Sequence, residues 1–259
     1  MQRFISIRAA LHERAEGFTL IELLVVIAII ALLIGILLPS LSGARNSARS
    51  VKCLASLRSQ GIAFSLYTED NNEVLPRTKH SVGFSGELTW GPQMFEYLTS
   101  QSFEGDSDLW QSDSWWSATN EFYRCPHDER ESPIEQPGLP FSTAAMSYGM
   151  NVYFELRREE FEPAKYAGDR YAPYRKRSAS PHPSLTVLLG EMKDTLSADH
   201  IMSHFWRTRG VTPGFEVATT RHGDSAGYLM LDGHATSRSF TSVYDATNER
   251  DNWYPALAR

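Results

Sequence analysis

Apolar and polar positions divide the chain into three regimes. From Phe18 to Leu38 nearly every residue is apolar, and Glu22 is the one acid set into the start of the run. The 21 residues, rich in Leu, Ile and Val, match the roughly 20 that an α-helix needs to cross the hydrocarbon core of a bilayer. They predict a membrane span. From Pro39 to about Asp70, apolar or small residues recur every three to four positions, at Leu41, Ala44, Ala48, Val51, Leu54 or Ala55, Leu57, Ile62 and Leu66. Arg45, Arg49, Lys52 and Arg58 take much of the other side. That period predicts an amphipathic helix. Joined to the span it makes one element of about 50 residues and roughly 80 Å, half in lipid and half against a head. The turn-formers of "EDNNEVLP" close it.

In the third regime, residues 77–140 are rich in Ser, Gly, Pro and Trp with little sustained period. They predict a loop-rich insertion with one short helix at "GPQMFEYLTSQ". Strand-like runs follow at "STAAMSYGMNVYF", "SLTVLLGEM" and "GYLML", and Asp232-Gly233 joins the last to "HATSRSF". An Asp-Gly pair between such runs signals a hairpin, here about 227–240, because the favoured tight turn needs positive φ at both central positions. The expected fold is α+β: a long amino-terminal helix whose second half, 39–70, packs on an antiparallel sheet within a head spanning 71–259.

Composition narrows the function. With 42% hydrophobic and 22% charged residues in 259, the chain is ordinary globular material. A net charge of −6 is no footprint for nucleic acid, which asks for clustered Lys and Arg. Cys53 and Cys125 are too few and too far apart for a zinc ribbon or a redox pair, and are either free thiols or one long-range disulfide. A secretory signal has a shorter apolar stretch followed by its cleavage site. Here the small residue, Gly17, precedes the run.

The segment "GFTLIELLVVIAII", behind the leader "MQRFISIRAALHERAEG", resembles the start of type IV prepilins and type II secretion pseudopilins. The resemblance implies that a prepilin peptidase removes residues 1–17 by cutting after Gly17 and that Phe18 becomes N-methylated. It also implies that Glu22, fifth in the mature chain, pairs with an amino terminus during assembly with other pilin or pseudopilin subunits. Pro39 falls where many pilins bend their helix, consistent with the backbone hydrogen bond that a proline removes. Near the other end, His222 is followed after nine residues by Asp232 and Gly233. This resembles the H-X9-DG segment of a planctomycete-type group of prepilin-like proteins, as do "CPHDE" and "SYGMN"; Ser56 stands where that group has Asn. Basic residues flank both ends of the span, so charge alone leaves orientation open. The family places the leader in the cytoplasm and the head beyond the inner membrane. An oxidising exterior then favours a Cys53–Cys125 disulfide, which in the chain-entropy model stabilises by about 4 kcal/mol.

The remaining chemistry is sparse. An ionised acid within a bilayer costs about 2.5–3.5 kcal/mol, so Glu22 implies a partner or a function unless it sits shallow and snorkels. His200 and His204 are four apart, which on a helix is zinc-ligand spacing, but Ile201 stands where a metallopeptidase needs Glu. His222, Asp232 and His234 read as hairpin geometry with metal ligation as the alternative, and calcium or another metal stays open. The tryptophans between 90 and 116 read as core or as a stacking surface. No nucleophile–base pair or phosphate loop stands out, so the expectation is a non-enzymatic subunit without a cofactor. The alternative is an anchored surface protein whose head binds a ligand, metal or glycan without polymerising.

Overall fold

In a computed structural model, which describes residues 19–82, 88–101, 113–130, 146–196 and 198–259, helix α1 (Leu20–Asp70) runs for 51 residues with Pro39 inside it. The chain divides into two compact units, residues 1–46 and 47–259. In the first, the apolar side chains from Leu20 to Leu41 are all solvent-exposed. This is the one described helix long and apolar enough to cross a membrane.

In the second unit, a five-stranded sheet is built from β1 (Tyr148–Asn151), β2 (Val187–Glu191), β3 (His200–Ile201), β4 (Ala226–Met230) and β5 (Ala235–Arg238). Its order is β3-β1-β2-β4-β5. The expected α+β arrangement is present, with one departure: β1 and β3 are parallel, while the other neighbours are antiparallel. Strands β1, β2 and β4 are buried on both faces, which is why their sequences are mostly apolar and do not alternate. On one face Tyr148, Met150, Leu189 and Leu229 pack with Leu57 and Phe64 of α1. On the other, Val187, Tyr228 and Met230 pack with Trp206 and Trp253.

The described part of 77–140 is more helical than its composition suggests. It holds α2 (Lys79–Val82), α3 (Trp90–Thr99), α4 (Asp113–Ala118) and a π-helical turn, Thr119–Tyr123. Trp90 and Trp115 belong to the helix-side core, so the stacking-surface reading does not hold for them. Two short helices, α5 (Arg158–Phe161) and α6 (His204–Thr208), and a second, two-stranded sheet of β6 (Tyr244–Asp245) and β7 (Arg250–Asp251) complete the elements used below.

The amphipathic helix exists, and Leu57 and Leu54 of the expected stripe pack on the head, but most of that stripe does not. Cys53, Ser56, Leu57, Gln60, Gly61, Ala63, Phe64 and Thr68 are buried, whereas Ala48, Val51, Ala55, Ile62 and Leu66 are exposed. At 100° per residue the two sets lie on roughly opposite sides of the cylinder. The head-facing side mixes the apolar Cys53, Leu57, Ala63 and Phe64 with small and polar residues, two of which bond to the head. Ser56 Oγ donates to the Glu121 carbonyl at 3.0 Å and Gln60 Nε2 to the Phe122 carbonyl at 2.7 Å.

Closeness has its own signature in the glycines. A Cβ on Gly61 would lie 2.6 Å from the Gly233 carbonyl oxygen and 2.8 Å from Leu229 Cδ1, and one on Gly227 would lie 2.9 Å from Leu57 Cδ1. The hairpin turn is also not the two-residue type expected. Gly233 N donates to the Met230 carbonyl and Met230 N to the His234 carbonyl, each at 2.9 Å. Of Asp232 and Gly233 only the glycine has positive φ, +97°. A three-residue loop ending in a left-handed glycine fits that pattern.

Gly61→Ala should lower stability by about 1–2 kcal/mol, since overpacking against backbone outweighs the gain of about 1 kcal/mol in helix propensity. Gly43→Ala, whose Cβ would meet nothing within 4 Å, should leave stability equal or higher. Thermal unfolding of the detergent-solubilised chain compares the two.

Candidate functional site

Two places carry the chemistry singled out in the sequence. The first is the start of α1. Thr19 N and Oγ1 both donate to Glu22 Oε2, at 2.8 and 2.7 Å, and Glu22 N donates back to Thr19 Oγ1 at 3.3 Å. This reciprocal pattern is a capping box, with Thr19 as the cap and Glu22 three residues on. The acid therefore has a local partner, and its signal, T-x-x-E, is legible in "TLIE". Gly17 and Phe18 lie outside the described residues. Pro39 sits within the continuous α1.

The second place is where α1 meets the head. Cys53, on α1, is disulfide-bonded to Cys125 across a sequence separation of 72 with Cα atoms 5.0 Å apart. Against this bond lies His222. Its Nδ1 is 3.1 Å from Ser50 Oγ of α1, and its Nε2 is 2.9 Å from Glu191 Oε1 and 3.7 Å from Cys125 Sγ. Glu191, at the end of β2, is fully buried and also accepts from Gly227 N of β4 at 2.8 Å. His222 thus ties the helix, the disulfide and two strands together. Cys53, Cys125, Glu191 and His222 bring ligand atoms within 4.8 Å of one another. With both sulfurs joined, only His222 and Glu191 remain as donors, and they are hydrogen-bonded to each other.

The rest of the H-X9-DG segment reaches α1 one strand farther on. Ser50 faces His222, Leu57 faces Gly227, and Gly61 faces Gly233, so β4 runs alongside the helix in the same direction. Eleven helical residues rise about 16 Å and the five residues of β4 span about 17 Å. The interval holds the five residues of β4, which match the helical rise, and the turns at either end. Asp232 Oδ1 accepts from His234 N and lies 2.7 Å from His234 Nδ1, a local turn contact at the surface.

Below the strap lies a buried ion network. Asp128, from "CPHDE", pairs with Arg130 Nε at 2.7 Å and with Arg221 at 3.5 Å, and accepts from Ser147 Oγ at 2.5 Å. Burial pushes its carboxyl up, but Arg221, the Ser147 hydroxyl and Arg130 together hold it below the usual value of 3.8. A carboxylate so held contributes stability above its unfolded pKa and loses it as pH falls.

The histidines of "DHIMSH" do not share a helix. His200 lies in β3 and His204 opens α6. Glu191, a buried acid of β2, is bonded to His222 and not to either of them.

Removing one member of the buried Glu191–His222 pair strands the other, so His222→Ala should cost about 3–5 kcal/mol. In a double-mutant cycle with Glu191→Gln the losses should be less than additive, as read from urea unfolding. The stability gap between the parent and Asp128→Asn should be full at neutral pH and shrink as pH falls below about 4.

A family described as the prokaryotic N-terminal methylation motif matches residues 14–38. The type IV wide pilus major component PilA4 of Thermus thermophilus is 48% identical over 60 residues, 23% of this chain and 46% of that relative. The chain thus spans about half the length of that curated relative. No solved structure matches. Residues 14–38 thus carry the prokaryotic N-terminal methylation motif, and the chain is similar over 60 residues to a type IV pilin.

Proposed function

We propose that this chain is a membrane-inserted structural subunit that a prepilin peptidase processes after Gly17. It then polymerises through α1, with itself or with other pilin-like chains, in a type II secretion or type IV pilus-like assembly. The observation that carries the reading is the two-sided helix. One side of α1 is spent on the head, while Ala48, Val51, Ala55, Ile62 and Leu66 leave an apolar stripe exposed on the other. Their spacing of three, four and seven residues is that of a helix-packing seam. A helix used only as an anchor has no need of such a stripe beyond the bilayer.

In the processed chain Phe18 carries the terminal amine one residue before the Thr19 cap. Glu22 then has two suitors, the Thr19 cap and an amine, its own or a neighbour's. An amine adds charge pairing where desolvation makes the acid costly, and a neighbour's amine would fix the axial step between subunits. The head stays on the far side of the inner membrane, and its role is structural.

The capping box separates the two roles of Glu22. Glu22→Gln keeps a capping-competent side chain and loses the charge, whereas Glu22→Ala loses both. Both variants should insert and be cleaved, and both should lose the crosslinked ladder that the parent gives in membranes. Assembly by Glu22→Gln at the parent's level would mean that the cap alone matters. Intact-mass measurement of the parent should show loss of residues 1–17 and one added methyl group.

A further inference from the structure

On the head beside β3, His80 meets two histidines distant from it in sequence, His200 and His204. His80 lies in α2, His200 in β3 and His204 at the start of α6. The His80 ring centroid is 5.6 Å from that of His200 and 6.2 Å from that of His204. We propose that His80, His200 and His204 bind a divalent transition metal of the zinc class, with Asp199 as the carboxylate that positions two of them.

Two features favour this arrangement. His204 is only 3% exposed, and its Nδ1 is buried with no hydrogen-bond partner; the buried Nδ1 of His80 has none either. Unpaired buried nitrogens are costly in a folded protein, and a cation would give two of them a partner at once. Next, His200 Nδ1 lies 2.8 Å from Asp199 Oδ1, the carboxylate–imidazole contact that orients a metal-ligating ring and leaves Nε2 to the ion. Asp199 is fully buried and its carboxylate also accepts from Lys79 N at 3.0 and 3.2 Å. One acid therefore holds both His200 and the segment bearing His80. Glu155 holds the same segment from the other side, accepting from Thr78 N at 3.1 Å and from the Thr78 and Ser81 hydroxyls.

In a tetrahedral site with metal–nitrogen distances near 2.0–2.1 Å, ring centroids stand about 5 Å apart. His80 needs to close on each of the other two rings by about 1 Å, and all three need to rotate to bring their nitrogens to one point. Three imidazoles without a thiolate suit zinc, copper, nickel or cobalt and not calcium or magnesium, which take oxygen ligands. His200 keeps a partly exposed side chain, which gives an ion a way in, and water would complete the fourth position.

The test uses the untagged full chain in detergent, with zinc chloride as the probe and cobalt(II) as a spectroscopic substitute. After dialysis the parent should retain one equivalent of zinc, show the visible bands of tetrahedral cobalt, and gain thermal stability with zinc. His80→Gln and His200→Gln, both at partly exposed positions, should fold as the parent does without metal and bind zinc at least about 100-fold more weakly. Asp199→Asn should weaken binding by about 10–100-fold, and His234→Gln should change nothing. Less than a stoichiometric equivalent in the parent would overturn the proposal. So would parent-like zinc affinity in His80→Gln, or loss of binding in His234→Gln alone.

Discussion

The second unit is organised by how near α1 comes to β4 and its turn. Gly61 lets the helix reach within contact of the Gly233 backbone, and Gly227 lets Leu57 settle on the strand. Everything else along that line follows from the separation so fixed. The Cys53–Cys125 bond needs Cα atoms 5.0 Å apart, and Ser50 has to come within hydrogen-bonding reach of His222. A thicker interface, with a side chain at either glycine, would pull apart contacts at both ends of β4. Because protein interiors are close-packed, such a displacement is not absorbed locally.

That constraint explains what the sequence reveals and what it hides. The apolar run, the long amphipathic helix and the β4–β5 hairpin all follow from period and turn chemistry, which are local properties. Which side of the helix faces the head does not follow from hydrophobicity, because the packed side uses Ser56, Gln60, Gly61 and Thr68 while Val51, Ile62 and Leu66 stay outside. Leu57 and Phe64 lie on the packed side too, so hydrophobicity alone does not separate the two sides, and small residues such as Gly61 are what permit the close approach. The capping box was within reach of inspection in "TLIE". The partners of His222 and His204 were not: Glu191 lies 31 residues from His222, and His80 meets His204 only because Glu155 and Asp199 hold its segment in place.

The exposed stripe then becomes informative. Val51, Ile62 and Leu66 lie exposed on the side of α1 that faces away from the head. The proposed assembly uses that side for a neighbouring chain and the preceding apolar run, which overlaps the methylation motif at residues 14–38, for the bilayer.

Site-specific photocrosslinking at Ile62 in native membranes tests that division of α1 most directly, with the head-facing Gln60 as the internal comparison. The account predicts that a probe at Ile62 captures α1 of another pilin-like chain and that a probe at Gln60 captures only its own head. Crosslinks at Ile62 to lipid alone, or to no protein, would contradict it.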